Sequence, residues 1–103
     1  MDKIYFTISG MNHRYGNKFI ERDMKVHLVK DPDNEYDKEA IKVMMEGLGH
    51  VGFVANSHYT VMGECMSAGR MYDKIGDEAD GTVLYRIPQG AICVVDIESV
   101  IRQ

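Results

Sequence analysis

The chain has no tryptophan, two cysteines and two prolines in 103 residues, and it carries little positive charge. Two thiols, Cys65 and Cys93, cannot by themselves complete a structural zinc site. Nor do they make the disulfide framework that holds small secreted domains together, so reduced and buried thiols are expected. No apolar run approaches the roughly 18 to 20 residues needed to cross a bilayer. The opening Met-Asp-Lys-Ile-Tyr lacks the basic-then-apolar order of a secretory signal. No membrane partner is expected, and the chain reads as cytoplasmic. Lysine and arginine number 12 against 16 acidic residues, a formal charge of −4. Gripping long duplex DNA through phosphate neutralisation needs a basic face, which this balance disfavours. The deficit is uneven: residues 1–60 hold eight basic against nine acidic side chains, residues 61–103 four against seven. A local basic patch is therefore still allowed in the first sixty residues. The histidines at 13, 27, 50 and 58 show no metal-ligand spacing and no nucleophile motif. No catalytic residue, no metal and no cofactor is expected, so the chain reads as a non-enzyme.

What is present is strand pattern. With 45% hydrophobic residues the length suits one domain, 1–103, around one core. Lys3 to Ser9 alternates, with Ile4, Phe6 and Ile8 on one face. Gly10 to Gly16 encloses Met11, Asn12, His13, Arg14 and Tyr15, too short for an element and expected as an exposed loop. Asn17 to Asp23 fits either a turn or a short helical piece. Met24 to Lys30 alternates again, with Met24, Val26 and Leu28 inward and His27 outward. Ile41, Val43 and Met45 oppose Lys42, Met44 and Glu46, a further half-buried strand. Glu46 to Gly49 reads as a tight hairpin turn and His50 to Ala55 as the returning strand. The glycines of Gly47-Leu48-Gly49-His50-Val51-Gly52 fall between two strands, unlike a phosphate-binding loop, which joins strand to helix. Asn56 to Ile75 reads as two short helices, the second capped by Ser67 with Met71 and Ile75 buried. Gly76 to Gly81 reads as a solvated turn. Thr82 to Ile87 and Ala91 to Ile97 close the chain as strands about Pro88-Gln89-Gly90. The fold expected is mainly β with a short α insert: a small six-stranded antiparallel OB- or SH3-like barrel, with one or two short helices between strands 4 and 5.

The most informative stretch is Asp31 to Val43, where a carboxylate-rich turn runs into a strand. Pro32 fixes its own φ and pushes Asp31 toward an extended conformation, and Asp33 and Asn34 favour side-chain-to-backbone turns, so the loop is shaped before any ligand arrives. Its carboxylates recur at Asp31, Asp33, Glu35 and Asp37. A calcium loop of the EF-hand type wants glycine sixth and glutamate twelfth, whereas counting from Asp31 gives Tyr36 and Lys42, so a solvated acidic turn is the better reading. Tyr36 and Asp37 form a ring and a carboxylate side by side, suited to stacking on a flat group and accepting a hydrogen bond from it. The plainer role for the pair is to fasten their own turn. If the Gly10–Gly16 loop and the central loop open at the same end of a barrel, tyrosines can stack on bases while Arg14 and a lysine meet phosphates.

The order Gly10-Met11, Gly16, Met24 to Lys30, then Asp31-Pro32-Asp33-Asn34-Glu35-Tyr36-Asp37-Lys38-Glu39-Ala40-Ile41-Lys42-Val43, a glycine-containing turn and Val51-Gly52-Phe53-Val54 resembles a HIRAN domain. The likeness is strong over roughly the first half of the chain. It implies an OB-related barrel that captures the 3′ end of single-stranded DNA in DNA repair or processing. It also implies a DNA translocase, helicase or nuclease as a working partner; such domains are found attached to translocases and alone in bacteria. By position, the resemblance makes Asp37 the acceptor for a 3′ hydroxyl and Tyr36 the stacking ring. Asn34, Lys38 and Phe53, with Asn12, His13, Arg14 and Tyr15 of the first loop, complete the expected interface. The first loop departs from the family's aromatic pair, having His13 and Arg14 with Tyr15 one step on. That departure and the acidic charge leave an alternative, a protein–protein interaction module on the same scaffold without DNA binding.

Overall fold

The computed structural model describes residues 3–96, 98 and 100. Six antiparallel strands close into a barrel: β1 (Tyr5–Ser9), β2 (Lys25–Lys30), β3 (Ile41–Met45), β4 (Gly49–Val54), β5 (Glu78–Ile87) and β6 (Gly90–Val95). The spatial order is β1-β4-β3-β2-β5-β6, with β6 pairing back onto β1. Alternation drives this arrangement. Phe6, Ile8, Val26, Leu28, Ile41, Val43, Val51, Val83, Cys93 and Val95 all turn inward and are buried. Closure also pairs the backbone edges that six short strands would otherwise expose.

Strand β1 is the seam, and its neighbours carry glycine where it comes closest. A Cβ built on Gly90 would lie 1.9 Å from the Ile8 carbonyl oxygen, and one on Gly52 would lie 2.6 Å from that of Ser9. Only the missing side chain lets the three strands approach this tightly. Asn17 pins the β5–β6 hairpin from outside, donating from Nδ2 to the carbonyls of Ile87 (2.6 Å) and Gly90 (3.0 Å).

Several expectations are corrected. The Gly10–Gly16 loop contains one 3-10 turn, Met11–His13, and Met11 is fully buried as a plug at the barrel end. Asn17 to Asp23, which fitted either a turn or a short helical piece, forms turns, ending at Asp23 with φ 72°. Met24 precedes β2 and is only partly buried. Of the two helices expected over 56–75, one forms: α1 (Ala68–Met71), whose Ser67 Oγ accepts from the Arg70 amide at 3.3 Å. Residues 57–66 are instead tied over the outside of β1, where the Met66 amide donates to the Tyr5 carbonyl and the Met62 amide to Thr7 Oγ1. Those bonds, with Gly63 at φ 55°, replace a helical ladder. Gly76–Gly81 is not a free turn either. Strand β5 begins at Glu78, because Glu78 and Asp80 meet His27 across the sheet at 2.6 and 2.7 Å. β6 starts one residue earlier than expected, at Gly90, and Ile97 lies outside the described residues.

Both cysteines are free. Cys93 is buried among core side chains, and that burial pushes its thiol up to about 12; Cys65 is only partly covered.

Candidate nucleic-acid interface

The central loop is built by its own side chains. Asn34 Oδ1 accepts from the amides of Tyr36 (2.9 Å) and Asp37 (3.0 Å), while its Nδ2 donates to Asp31 Oδ2 at 3.1 Å. Asp31 and Ala40 close the loop base through a 2.8 Å backbone bond. Asn34 is therefore the turn-former, and it holds the backbone of Tyr36 and Asp37 in place.

Those two side chains differ in how far they are committed. Tyr36 is 94% exposed, with no ring against it among the described residues. Asp37 is half-buried and braced on both oxygens: Oδ1 accepts from the Glu39 amide at 2.9 Å and Oδ2 from Asn56 Nδ2 at 2.7 Å. A carboxylate has about four lone-pair directions, so two bonds orient it and still leave acceptor capacity. The plainer role of fastening the turn thus holds for Asp37 in part and does not hold for Tyr36.

Tyr36 and Asp37 line an open groove of about 440 Å³ with Ser9, Asn34, Ala40, Phe53, Val54, Asn56, Ser57 and Thr60. Its walls combine an apolar floor with a few convergent polar groups, the general character of a ligand site. A second groove of about 440 Å³, between β5 and the 62–65 segment, is lined by Tyr5, Met62, Leu84, Tyr85, Ile87 and Ile92, with Glu64 its single charged wall. It lacks the converging hydrogen-bonding groups of the first.

The groove unites Asn34, Tyr36, Asp37 and Phe53 of the expected residues and leaves out Asn12, His13, Arg14, Tyr15 and Lys38. Strand direction explains the split. β1 runs antiparallel to β4, so the chain beyond Ser9 heads toward the β3–β4 hairpin, where Tyr15 Oη donates to the Leu48 carbonyl at 3.0 Å. The central loop enters β3 at Ile41, level with the point where the first loop leaves β1, since Ser9 and Lys42 both pair with Phe53; from there the first loop runs away along β4. Asn12, His13 and Arg14 are exposed on the first loop, and Lys38 is exposed on the central one. Lys30, beside the central loop, is already engaged: its ammonium sits 4.5 Å from the Tyr72 ring centroid and donates to the Ile75 carbonyl.

Phe53 links the two regions. It is in register with Ser9 on one side and Lys42 on the other, on the outer face. Strict alternation would send His50 and Phe53 to opposite faces. The register shift between Val43 and Met44 absorbs one extra residue of β4, so His50 opposes Met44 and packs its ring edge-on to Phe53 at 4.6 Å. The carbonyl of Gly52 can only accept, so His50 Nε2 carries the proton in their 2.7 Å bond. Burial, then the nearby Arg14 guanidinium, holds the His50 pKa below the usual imidazole value, with Lys42 adding to the effect. Arg14 and Lys42 thus place positive charge near His50, partly offset by the Asp31 carboxylate.

Residues 1–88 match the family model described as HIRAN domain. The chain belongs to the HIRAN domain family. The solved crystal structure of the HIRAN domain of human HLTF is similar in fold, with a TM-score of 0.61 at 20% identity over 90% of this chain and 74% of that one. The search of curated proteins found no match. HIRAN domains are DNA-binding modules and are not catalytic by themselves. Among the described residues of this HIRAN domain, no group of three or more His, Cys, Asp or Glu is placed to hold a metal ion. No helix among them is long and apolar enough to cross a membrane.

Sequence reasoning did not single out Asn56, Ser57, Thr60, Lys42 or His50 for the site. Asn56 carried a signal, since it reads as a capping residue. It does accept an amide hydrogen bond, but from Gly69, thirteen residues on (2.7 Å). Lys42 was legible as outward-facing from alternation, whereas the placement of His50 depends on a bulge with no local signature.

Proposed function

We propose that this HIRAN domain is a non-catalytic module that captures the 3′ end of single-stranded DNA for a DNA repair or processing enzyme. The observation that carries the reading is the pairing, on one wall of an open groove, of a fully presented tyrosine ring with a carboxylate oriented by two internal donors. A base stacked on Tyr36 gains about 1–3 kcal/mol, and such stacking tolerates any sequence. The terminal sugar hydroxyl donates to Asp37, a bond that an internal phosphodiester cannot make. Phe53, Ala40 and Val54 cover the apolar edges of the nucleotide.

The acidic net charge fits recognition of an end better than recognition of a long strand, because few phosphates need be neutralised. Binding should then fall only shallowly with salt, the slope being about 0.7 per phosphate contacted on a single strand. The test is a fluorescence titration of one oligonucleotide with a free or a phosphorylated 3′ end, against the native protein and Asp37→Ala. The expected result is binding of the free end by the native protein alone. Equal affinity in all four combinations rejects the proposal.

A further inference from the structure

Beyond the groove, a ridge at Ser57–Thr60 separates it from a polar hollow of about 470 Å³ lined by Asn56, His58, Val61, Ser67 and Arg70. The ridge is a tied turn. Ser57 Oγ accepts from the Tyr59 amide at 3.1 Å, and the Ser57 carbonyl accepts from the amides of Thr60 and Val61, both at 2.9 Å. Ser57 and Thr60 face the groove, His58 and Val61 face the hollow, and Asn56 belongs to both walls. Tyr59 stands on the ridge, 85% exposed, with His58 against one side of its ring at a centroid distance of 4.1 Å. The other side of the ring is open. Arg70 is exposed at the far wall of the hollow and forms no ion pair among the described residues.

We propose that Tyr59 and Arg70 form a second nucleotide subsite, in which Tyr59 stacks on the base next to the terminal one and Arg70 contacts its phosphate. This rests on the reading of the groove as a DNA-end site and assigns the path by which the strand leaves it. Two hollows that share Asn56 suit two successive nucleotides; Tyr36 lines the first, and Tyr59 stands on the ridge between them. On the opposite side, past Phe53, the exposed rings of Tyr15 and His13 do not line the groove, and the Tyr15 hydroxyl is held by the Leu48 carbonyl. Tyr59, set between the groove-lining Ser57 and Thr60, therefore takes the stacking role at this exit.

The experiment measures binding of a four-nucleotide strand with a free 3′ hydroxyl, either intact or abasic at the penultimate position, to the native protein, Tyr59→Ala and Arg70→Gln. Both side chains are exposed, so neither substitution threatens folding. Tyr59→Ala should weaken the intact strand roughly tenfold or more, the effect of one lost stack, and change the abasic strand little. Arg70→Gln should reduce the salt slope by about 0.7. Both variants should still prefer a free over a phosphorylated 3′ end. The subsite is overturned if Tyr59→Ala binds the intact strand like the native protein, or if it weakens intact and abasic strands equally. Indifference of the native protein to the 3′ end overturns the DNA-end reading itself, and this subsite with it.

Discussion

Replacing Asn56 with alanine removes two interactions at once, the 2.7 Å bond to Asp37 Oδ2 and the 2.7 Å bond from the Gly69 amide. A hydrogen bond to a charged group contributes about 1.5–3 kcal/mol and one between neutral groups about 0.5–1.5 kcal/mol. Asn56 and Asp37 are only half-buried, so water replaces part of what is lost; the net destabilisation expected is about 1–2 kcal/mol. The share belonging to the Asp37 bond is isolated by a double-mutant cycle of Asn56→Ala and Asp37→Ala in urea unfolding. A coupling of about 1 kcal/mol is expected. The same Asn56→Ala variant should discriminate less between free and blocked 3′ ends, because the carboxylate loses one of the two donors that orient it. Additive unfolding effects, with end discrimination intact, would refute the claim that Asn56 positions Asp37.

Other perturbations test the frame around the site. His27 lies between Asp80 and Glu78, and hydrogen bonding to Asp80 and then Glu78 raises its pKa above 6.5. The folded state then holds the proton more tightly than the unfolded one. The clasp is fully present below pH 6.5 and is lost as pH rises through the folded value. Thermal melts from pH 6 to 9 should show the native protein losing more stability than His27→Gln across that window; parallel curves would deny the clasp any role. For Gly90→Ala, the Cβ would fall 1.9 Å from the Ile8 carbonyl oxygen, so β1 or β6 must shift at a cost of about 1–3 kcal/mol or more. An unchanged urea midpoint would contradict closure at that seam. The Cys93 thiol, pushed up to about 12 by burial, should resist a thiol reagent in the native protein while the half-covered Cys65 reacts. Two equivalents labelled before unfolding would show that the core is more open than described.

Much of the barrel was legible because alternation is a local signal. Phe6 and Ile8, Val26 and Leu28, and Ile41 and Val43 each place their strand's inner face without reference to any other strand. The turn at Asn34 was legible for the same reason, since its bonds reach only two and three residues along the chain. What escaped is set by contacts distant in sequence. Residues 57–66 follow β1 rather than their own helical preference, and β5 extends back to Glu78 because His27 stands opposite. His50 reaches the outer face through a bulge, and the first loop runs along β4 to the β3–β4 hairpin because β1 and β4 are antiparallel. The groove itself was half visible: Tyr36 and Asp37 stood out in the sequence. The walls facing them, at Asn56, Ser57 and Thr60, became part of a site only when the segment after β4 folded across.

The central claim is that Asp37 recognises a hydroxyl at the end of a strand. It is tested most directly by comparing two otherwise identical oligonucleotides, one ending in a normal 3′ nucleotide and one in a 3′-deoxy nucleotide, which changes no charge and leaves the base free to stack. The account predicts at least about a tenfold weaker complex for the deoxy end, the worth of one hydrogen bond to a charged group, and no difference between the two with Asp37→Ala. Equal binding of both ends by the native protein would contradict it.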